Sequence, residues 1–199
     1  MPKTIDYYFT PVSPYAYFGH DRFVAIATRH GATINVKPID LGKVFPVSGG
    51  LPLKQRAPQR QAYRLFELAR WHDFLAMPFN AQPKFGASGG DLATRWIVAA
   101  LERGTEPALD LAGAVMRARW AEERDIAEPA TLAACATGAG LDAAAIAARA
   151  QTPEIAARYE AFTQEAIDAQ VFGAPWYVVD GEPFWGQDRL DFLTRKLAQ

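Results

Sequence analysis

Ile5-Asp6-Tyr7-Tyr8-Phe9-Thr10-Pro11-Val12-Ser13-Pro14-Tyr15-Ala16-Tyr17-Phe18-Gly19 changes its period midway. Ile5 to Phe9 alternates around Asp6 and is rich in aromatics, a strand pattern. Thr10 to Ser13 reads as a turn, and Ser13-Pro14 sets a capping hydroxyl before a proline at the first helical position. The helix pattern then runs through Tyr17, Phe18, Phe23, Val24 and Ala27, and Gly31 closes it. Thr33 to Ile39 reads as a second strand, ending in Pro38. A strand–helix–strand unit of this kind crosses over right-handedly into parallel pairing.

Beyond it, strand signals vanish from Leu41 to Gln170. A Pro/Gly-rich stretch, Pro46 to Pro58, gives way to a series of helices. One opens at Pro58; others cover Asp91 to Glu102 and Pro107 to Glu122; shorter ones start at Pro129 and Asp142. Thr152-Pro153-Glu154 sets an N-cap, a first-turn proline and a first-turn acid in sequence. Strand patterns return at Trp176 to Val179 and Glu182 to Trp185, joined by the hairpin signal Asp180-Gly181. Pro183 suits an edge strand, where a missing N–H is tolerated. Leu190, Phe192, Leu193 and Leu197 mark a last amphipathic helix. The fold class is therefore α/β, a thioredoxin-like topology with a large all-helical insertion after the second strand. Residues 1–40 and 171–199 form the discontinuous thioredoxin-like domain, and residues 41–170 the insertion.

Half of the 199 residues are hydrophobic, enough for a sizeable core, and this excludes disorder. The balance of 21 Lys+Arg against 22 Asp+Glu argues against a nucleic-acid or membrane-surface binder. No transmembrane run or signal peptide is evident, so a cytoplasmic location is expected. The single cysteine, Cys135, excludes an intramolecular disulfide and sits among alanines as a small core residue.

In an open mixed sheet, ligands gather beyond the carboxyl ends of the parallel strands, beside helix N-termini. Ser13 stands at that junction. Thioredoxin-like oxidoreductases carry the first cysteine of Cys-x-x-Cys there, but this chain reads Ser13-Pro14-Tyr15-Ala16 and cannot form the redox disulfide. The helix terminus still favours an anion, and a hydroxyl can donate to a thiolate brought by a ligand. Position alone reads Ser13 as an ordinary N-cap.

Ser13-Pro14-Tyr15-Ala16-Tyr17-Phe18-Gly19, Val171-Phe172-Gly173-Ala174-Pro175 and Phe184-Trp185-Gly186-Gln187-Asp188-Arg189-Leu190 carry a resemblance that covers essentially the whole chain. They resemble the 2-hydroxychromene-2-carboxylate isomerase family, grouped with the kappa-class glutathione transferases among DsbA-like proteins. The resemblance implies glutathione as a cofactor that is not consumed, a small aromatic carboxylate substrate, a homodimer, and a role in aromatic hydrocarbon catabolism. It implies that the Ser13 hydroxyl favours the glutathione thiolate. The thiolate adds to a conjugated carbon of the ring-opened substrate, permits rotation, and leaves to give trans-o-hydroxybenzylidenepyruvate. It also implies a cis Pro175, with the Ala174 backbone facing the cysteinyl unit and Asp188 with Arg189 receiving the γ-glutamyl end. Read without it, Pro175 is a strand-entry proline, and Asp188 an N-cap beside a solvated arginine.

The match departs from the family in three places. Phe45-Pro46-Val47-Ser48-Gly49-Gly50 has Gly50 where the family has a glutathione-facing asparagine. Phe85-Gly86-Ala87-Ser88-Gly89-Gly90 also lacks an asparagine common there. Pro58-Gln59-Arg60-x-x-Tyr63 has Arg60 for a lysine; it is either a partner for the glycyl carboxylate or a solvated helix charge. The arginines at 56, 60, 64, 70, 117, 119 and 124 read as a solvated face offset by acids. Ser13, His20 and Asp21 lack the setting of a hydrolase elbow. Three readings follow: a glutathione-dependent isomerase, a kappa-like transferase that consumes glutathione, and a redox-inactive thioredoxin-like binding module.

Overall fold

Thr4–Phe9 forms β1, the strand that the alternation around Asp6 predicts. The structure is a computed structural model that describes residues 2–86 and 89–199. β1 lies parallel to β2 (Thr33–Pro38), with Thr4 opposite Thr33 and Phe9 opposite Pro38. On its other side it runs antiparallel to β3 (Trp176–Val179), with Tyr7 opposite Tyr177. β4 (Glu182–Trp185) completes the order β2-β1-β3-β4. Its central place buries β1 on both faces. Ile5, Tyr7 and Phe9 enter the main core, while Tyr8 joins a smaller one with Ile39, Val44, Ala166, Val171 and Trp176. The Tyr7 ring stacks on Phe9 at 4.5 Å and on Tyr177 at 5.4 Å.

The hairpin turn forms as its residues require: Asp180 and Gly181 both take positive φ, 52° and 78°, the geometry that matches strand twist. Pro183 stands on the edge strand opposite Val178.

α1 (Pro14–Arg29) follows β1, and the helices between β2 and β3 are α2 (Leu41–Ser48), α3 (Pro58–Leu75), α4 (Gly90–Ala100), α5 (Thr105–Trp120), α6 (Pro129–Gly138), α7 (Ala143–Ala150) and α8 (Pro153–Asp168); α9 (Leu190–Leu197) ends the chain. The Thr152 cap forms as read, accepting from Ile155 N at 3.5 Å, and Asp142, read as a helix start, caps α7 by accepting from Ala145 N at 3.1 Å. α2 was not legible: it runs into the Pro/Gly-rich stretch that begins at Pro46 and carries that proline inside it. Asp40 caps it by accepting from Gly42 N at 2.7 Å, Gly49 ends it at φ 74°, and Val44 anchors it. In so short a helix, proline removes one hydrogen bond from a ladder already bounded at both ends.

Burial is uneven among the helices. α5 sends Leu109, Leu111, Val115 and Met116 into the main core, whereas Leu68 is the one buried residue of α3. Among the described residues, no helix is long and apolar enough to cross a membrane.

Candidate active site

β1 delivers the chain to a turn closed by Ser13 N donating to Thr10 O at 3.1 Å, and Trp120 Nε1 pins the turn by donating to Pro11 O at 3.1 Å. Ser13 then caps α1, its Oγ accepting from Ala16 N at 3.2 Å. Tyr17 N donates to Ser13 O, and Pro14 has no N–H to offer. Of the four N–H positions that open a helix, Tyr15 is left without a partner among the described residues.

The Ser13 hydroxyl is used twice. Besides capping, it donates to the Ala174 carbonyl at 3.0 Å. The Ala174–Pro175 peptide is cis, as the resemblance implies, and both residues are buried. Pro175 O accepts from Gly186 N at 2.9 Å, which draws the turn after β4 against the same spot. The buried Gln187 follows, its Oε1 accepting from Arg22 of α1 at 2.6 Å. Gly19 makes this contact possible: a Cβ there would stand 2.8 Å from Gln187 Cβ. Asp188 and Arg189 lie in the one-turn 3-10 helix Gln187–Arg189, half exposed and paired with each other at 3.1 Å. Ser13, Ala174, Pro175, Asp188 and Arg189 therefore meet at one end of the sheet.

Arg60 is exposed in the first turn of α3, and none of its side-chain contacts among the described residues ties it to these five. One turn further on, Arg64 departs from the solvated face expected for the arginines, as does Arg119 of α5, which is buried and donates to Gly86 O at 2.6 Å. Arg64 is half-buried; the groups that act on it are Tyr15 and Arg56, with no carboxylate among them. Burial and the Arg56 charge pull its pKa below the ordinary arginine value. Tyr15, half-buried as well, has its phenol pKa raised by burial first, and it lies within electrostatic reach of Arg64, Glu67, Arg56 and Asp188. Arg56 itself donates from Nε to Leu51 O at 2.8 Å and stands 6.0 Å from the Phe45 ring. The i, i+4 spacing of Arg60 and Arg64 on α3 is the sequence signal that could have singled out this edge.

Other candidates fall into place. His20 is buried, with Nε2 donating to Leu109 O at 3.0 Å and Nδ1 accepting from Tyr7 OH at 3.3 Å, so it is a satisfied core histidine and not a partner of Ser13. Cys135 is buried and free, and burial pushes its thiol pKa up, the opposite of an activated nucleophile. A Cβ on Gly50 would come within 2.3 Å of Phe45 Cδ1, so a side chain there needs that ring to move. Of the second departure, Ala87 and Ser88 lie outside the described residues. The aromatic pair Phe172 and Trp185 stays partly exposed beside Pro175, ring centroids 4.8 Å apart.

Residues 4–198 match the family model of the DSBA-like thioredoxin domain. The chain is 32% identical over 199 residues to a 2-hydroxychromene-2-carboxylate isomerase of Sphingobium xenophagum, covering 99% of each chain. It is 26% identical to glutathione S-transferase kappa 1 of Caenorhabditis elegans, covering 100% of this chain and 93% of that one. A solved structure of a 2-hydroxychromene-2-carboxylate isomerase superposes with a TM-score of 0.81 at 26% identity, over 98% of this chain and 94% of the other. With no thiol at Ser13 or Ala16 and a full-length match of this kind, the chain belongs to the DSBA-like thioredoxin family and, within it, to the enzyme group that holds the 2-hydroxychromene-2-carboxylate isomerases.

Proposed function

We propose that this enzyme is a glutathione-dependent isomerase of a small aromatic carboxylate, interconverting 2-hydroxychromene-2-carboxylate and trans-o-hydroxybenzylidenepyruvate. One observation carries the reading. The Tyr15 N–H has no partner among the described residues and stands beside a Ser13 hydroxyl that donates to the Ala174 carbonyl, at the positive end of a 16-residue helix. These donors suit a thiolate and have no thiol of their own to serve.

Bound there, glutathione supplies a sulfur nucleophile that adds to and leaves a conjugated carbon, so that rotation can occur in between. The protein's part is electrostatic and positional. Ser13 turns its proton from Ala174 O to the sulfur; Tyr15 N–H and the helix terminus add to the same field. Lowering a thiol pKa from about 8.5 towards 7 corresponds to roughly 2 kcal/mol, within reach of one hydroxyl and a helix end. The Ala174 backbone would face the cysteinyl unit, Asp188 and Arg189 would take the γ-glutamyl end, and Arg60, exposed on the first turn of α3, would pair with the glycyl carboxylate. Residues 1–40 and 171–199 act as the glutathione-bearing unit, with 41–170 closing the electrophile side.

A cytoplasmic homodimer working in aromatic catabolism belongs to this reading. The outward stripe of α3, with Phe66 64% and Phe74 76% exposed, supports pairing of two copies. The similarity to kappa-class transferases favours a second reading, conjugation with release of the adduct. Turnover of the chromene carboxylate with catalytic glutathione, followed by ultraviolet absorbance and a thiol count, separates them. Isomerisation leaves the thiol count unchanged, conjugation depletes it, and no turnover with either outcome sinks the isomerase assignment.

A further inference from the structure

The γ-glutamyl end of glutathione carries an ammonium and a carboxylate, and the reading above gives both to Asp188 and Arg189. Those two residues lie in a one-turn 3-10 helix with no side-chain cap, so their direction is fixed from outside it. Two hydrogen bonds do this. Gly186 N donates to Pro175 O at 2.9 Å, at the entry to the turn, and Asp188 folds its carboxylate back over Gly186, into the space that a Cβ there would fill. The second bond comes from α1, where Arg22 Nη1 donates to Gln187 Oε1 at 2.6 Å. Gln187 is 1% exposed and packs on the bare backbone of Gly19. Its Nε2 is buried with no partner among the described residues, a cost that a leucine there would not carry. What the amide gains is the charge-assisted bond from Arg22. Arg22 stands on the same helix as Ser13, roughly 14 Å further along its axis by the helical rise.

Resting on the glutathione reading above, we propose that Arg22 and Gln187 are positioning residues for the γ-glutamyl subsite. Arg22 fixes Gln187, Gln187 fixes the turn, and the turn presents Asp188 and Arg189 to the ammonium and carboxylate of the ligand. Because α1 carries both Ser13 and Arg22, one helix sets the span between the sulfur and the amino-acid end. Neither residue acts on the reacting sulfur, so their effect falls on recognition of the γ-glutamyl group and not on the thiolate.

The test is calorimetric titration of glutathione and of N-acetylcysteinylglycine, which keeps the thiol, the amide and the glycyl end but lacks the γ-glutamyl charges. The unmodified protein should bind glutathione more tightly. Arg22→Met should weaken glutathione about five- to tenfold, the scale of one hydrogen bond, and change the truncated thiol less than about twofold. Gln187→Leu should do the same, and the double variant should lose no more than either single one, because all three break one contact. Arg22→Lys keeps a donor and should recover part of the loss. Arg22 is half-buried, so its variants carry the test if the leucine variant fails to fold, as melting curves show. Equal weakening of both ligands, no weakening of glutathione, or additive losses would each overturn the positioning role. A protein that binds glutathione yet gives one of these results keeps the isomerase reading and loses this inference. If the unmodified protein does not bind glutathione, the reading falls and the inference with it.

Discussion

The Ser13 hydroxyl donates to the Ala174 carbonyl across 161 positions of chain, at 3.0 Å, while accepting from Ala16 N. One oxygen thus joins the start of α1 to the residue before Pro175, and under the proposed function the same proton is the one a bound thiolate would take. Stabilising the thiolate exchanges one hydrogen bond for a stronger, charge-assisted one, so the net gain is smaller than a free hydroxyl would deliver.

Ser13→Ala should show this double use. Losing the cap and leaving Ala174 O unpaired should lower folding stability by about 1–2 kcal/mol in urea titrations. Near neutral pH, loss of the donor should cost about 1.5–3 kcal/mol, roughly 10- to 150-fold in the thiolate-dependent rate. Raising the pH should restore part of that rate, because the thiol then ionises unaided. A pH–rate profile with thiolate absorbance of bound glutathione checks it; an unchanged profile would reduce Ser13 to a helix cap.

Dithiol chemistry should be absent. With Ser13 and Ala16 at the two thiol positions and Cys135 buried, insulin reduction should not exceed the background from glutathione alone. Turnover above that background would contradict the assigned site.

Gly50→Asn restores the residue type that the family places there, but the Phe45 ring stands in the way. We expect a stability loss of about 1 kcal/mol from local overpacking and no tightening of glutathione. Calorimetry and thermal melting check both; tighter binding at unchanged stability would show that Phe45 yields freely.

His20 makes a pH prediction with a definite sign. Burial lowers its pKa below the ordinary histidine value of about 6.5, outweighing Asp21, the Leu109 carbonyl and Asp110, which act the other way. The unfolded chain therefore binds its proton more readily than the folded one. The contribution of neutral His20 is fully present above about pH 6.5 and is lost as pH falls through the depressed folded value. Stability measured from pH 7 down to 5 should drop more steeply in the unmodified protein than in His20→Gln, and parallel curves would refute this.

Much of this architecture is local and therefore legible. Ser13-Pro14, Thr152-Pro153 and Asp180-Gly181 each force a cap or turn through the chemistry of two residues, and the structure follows them. α2 escaped because Pro46 breaks the pattern while the support comes from Asp40, Gly49 and the docking of Val44 on a distant core. Arg64 escaped for a related reason. Its half-burial depends on how α3 packs against α1, a tertiary contact that no short window of sequence contains. The Ser13–Ala174 bond is likewise long-range, although both residues drew notice separately.

The thin anchoring of α3 has a thermodynamic consequence. A helix of 18 residues with Leu68 as its one buried side chain has little intrinsic resistance to opening, unlike β1, which opens only with the whole core. Its amide protons should exchange with solvent deuterium early in dilute protein without ligand, while those of β1 exchange last. Whatever docks on α3, a second copy or a bound ligand, adds its binding free energy to that local opening cost. Protection of this one helix then becomes a titratable reporter of assembly and of site occupancy, each read at its own concentration.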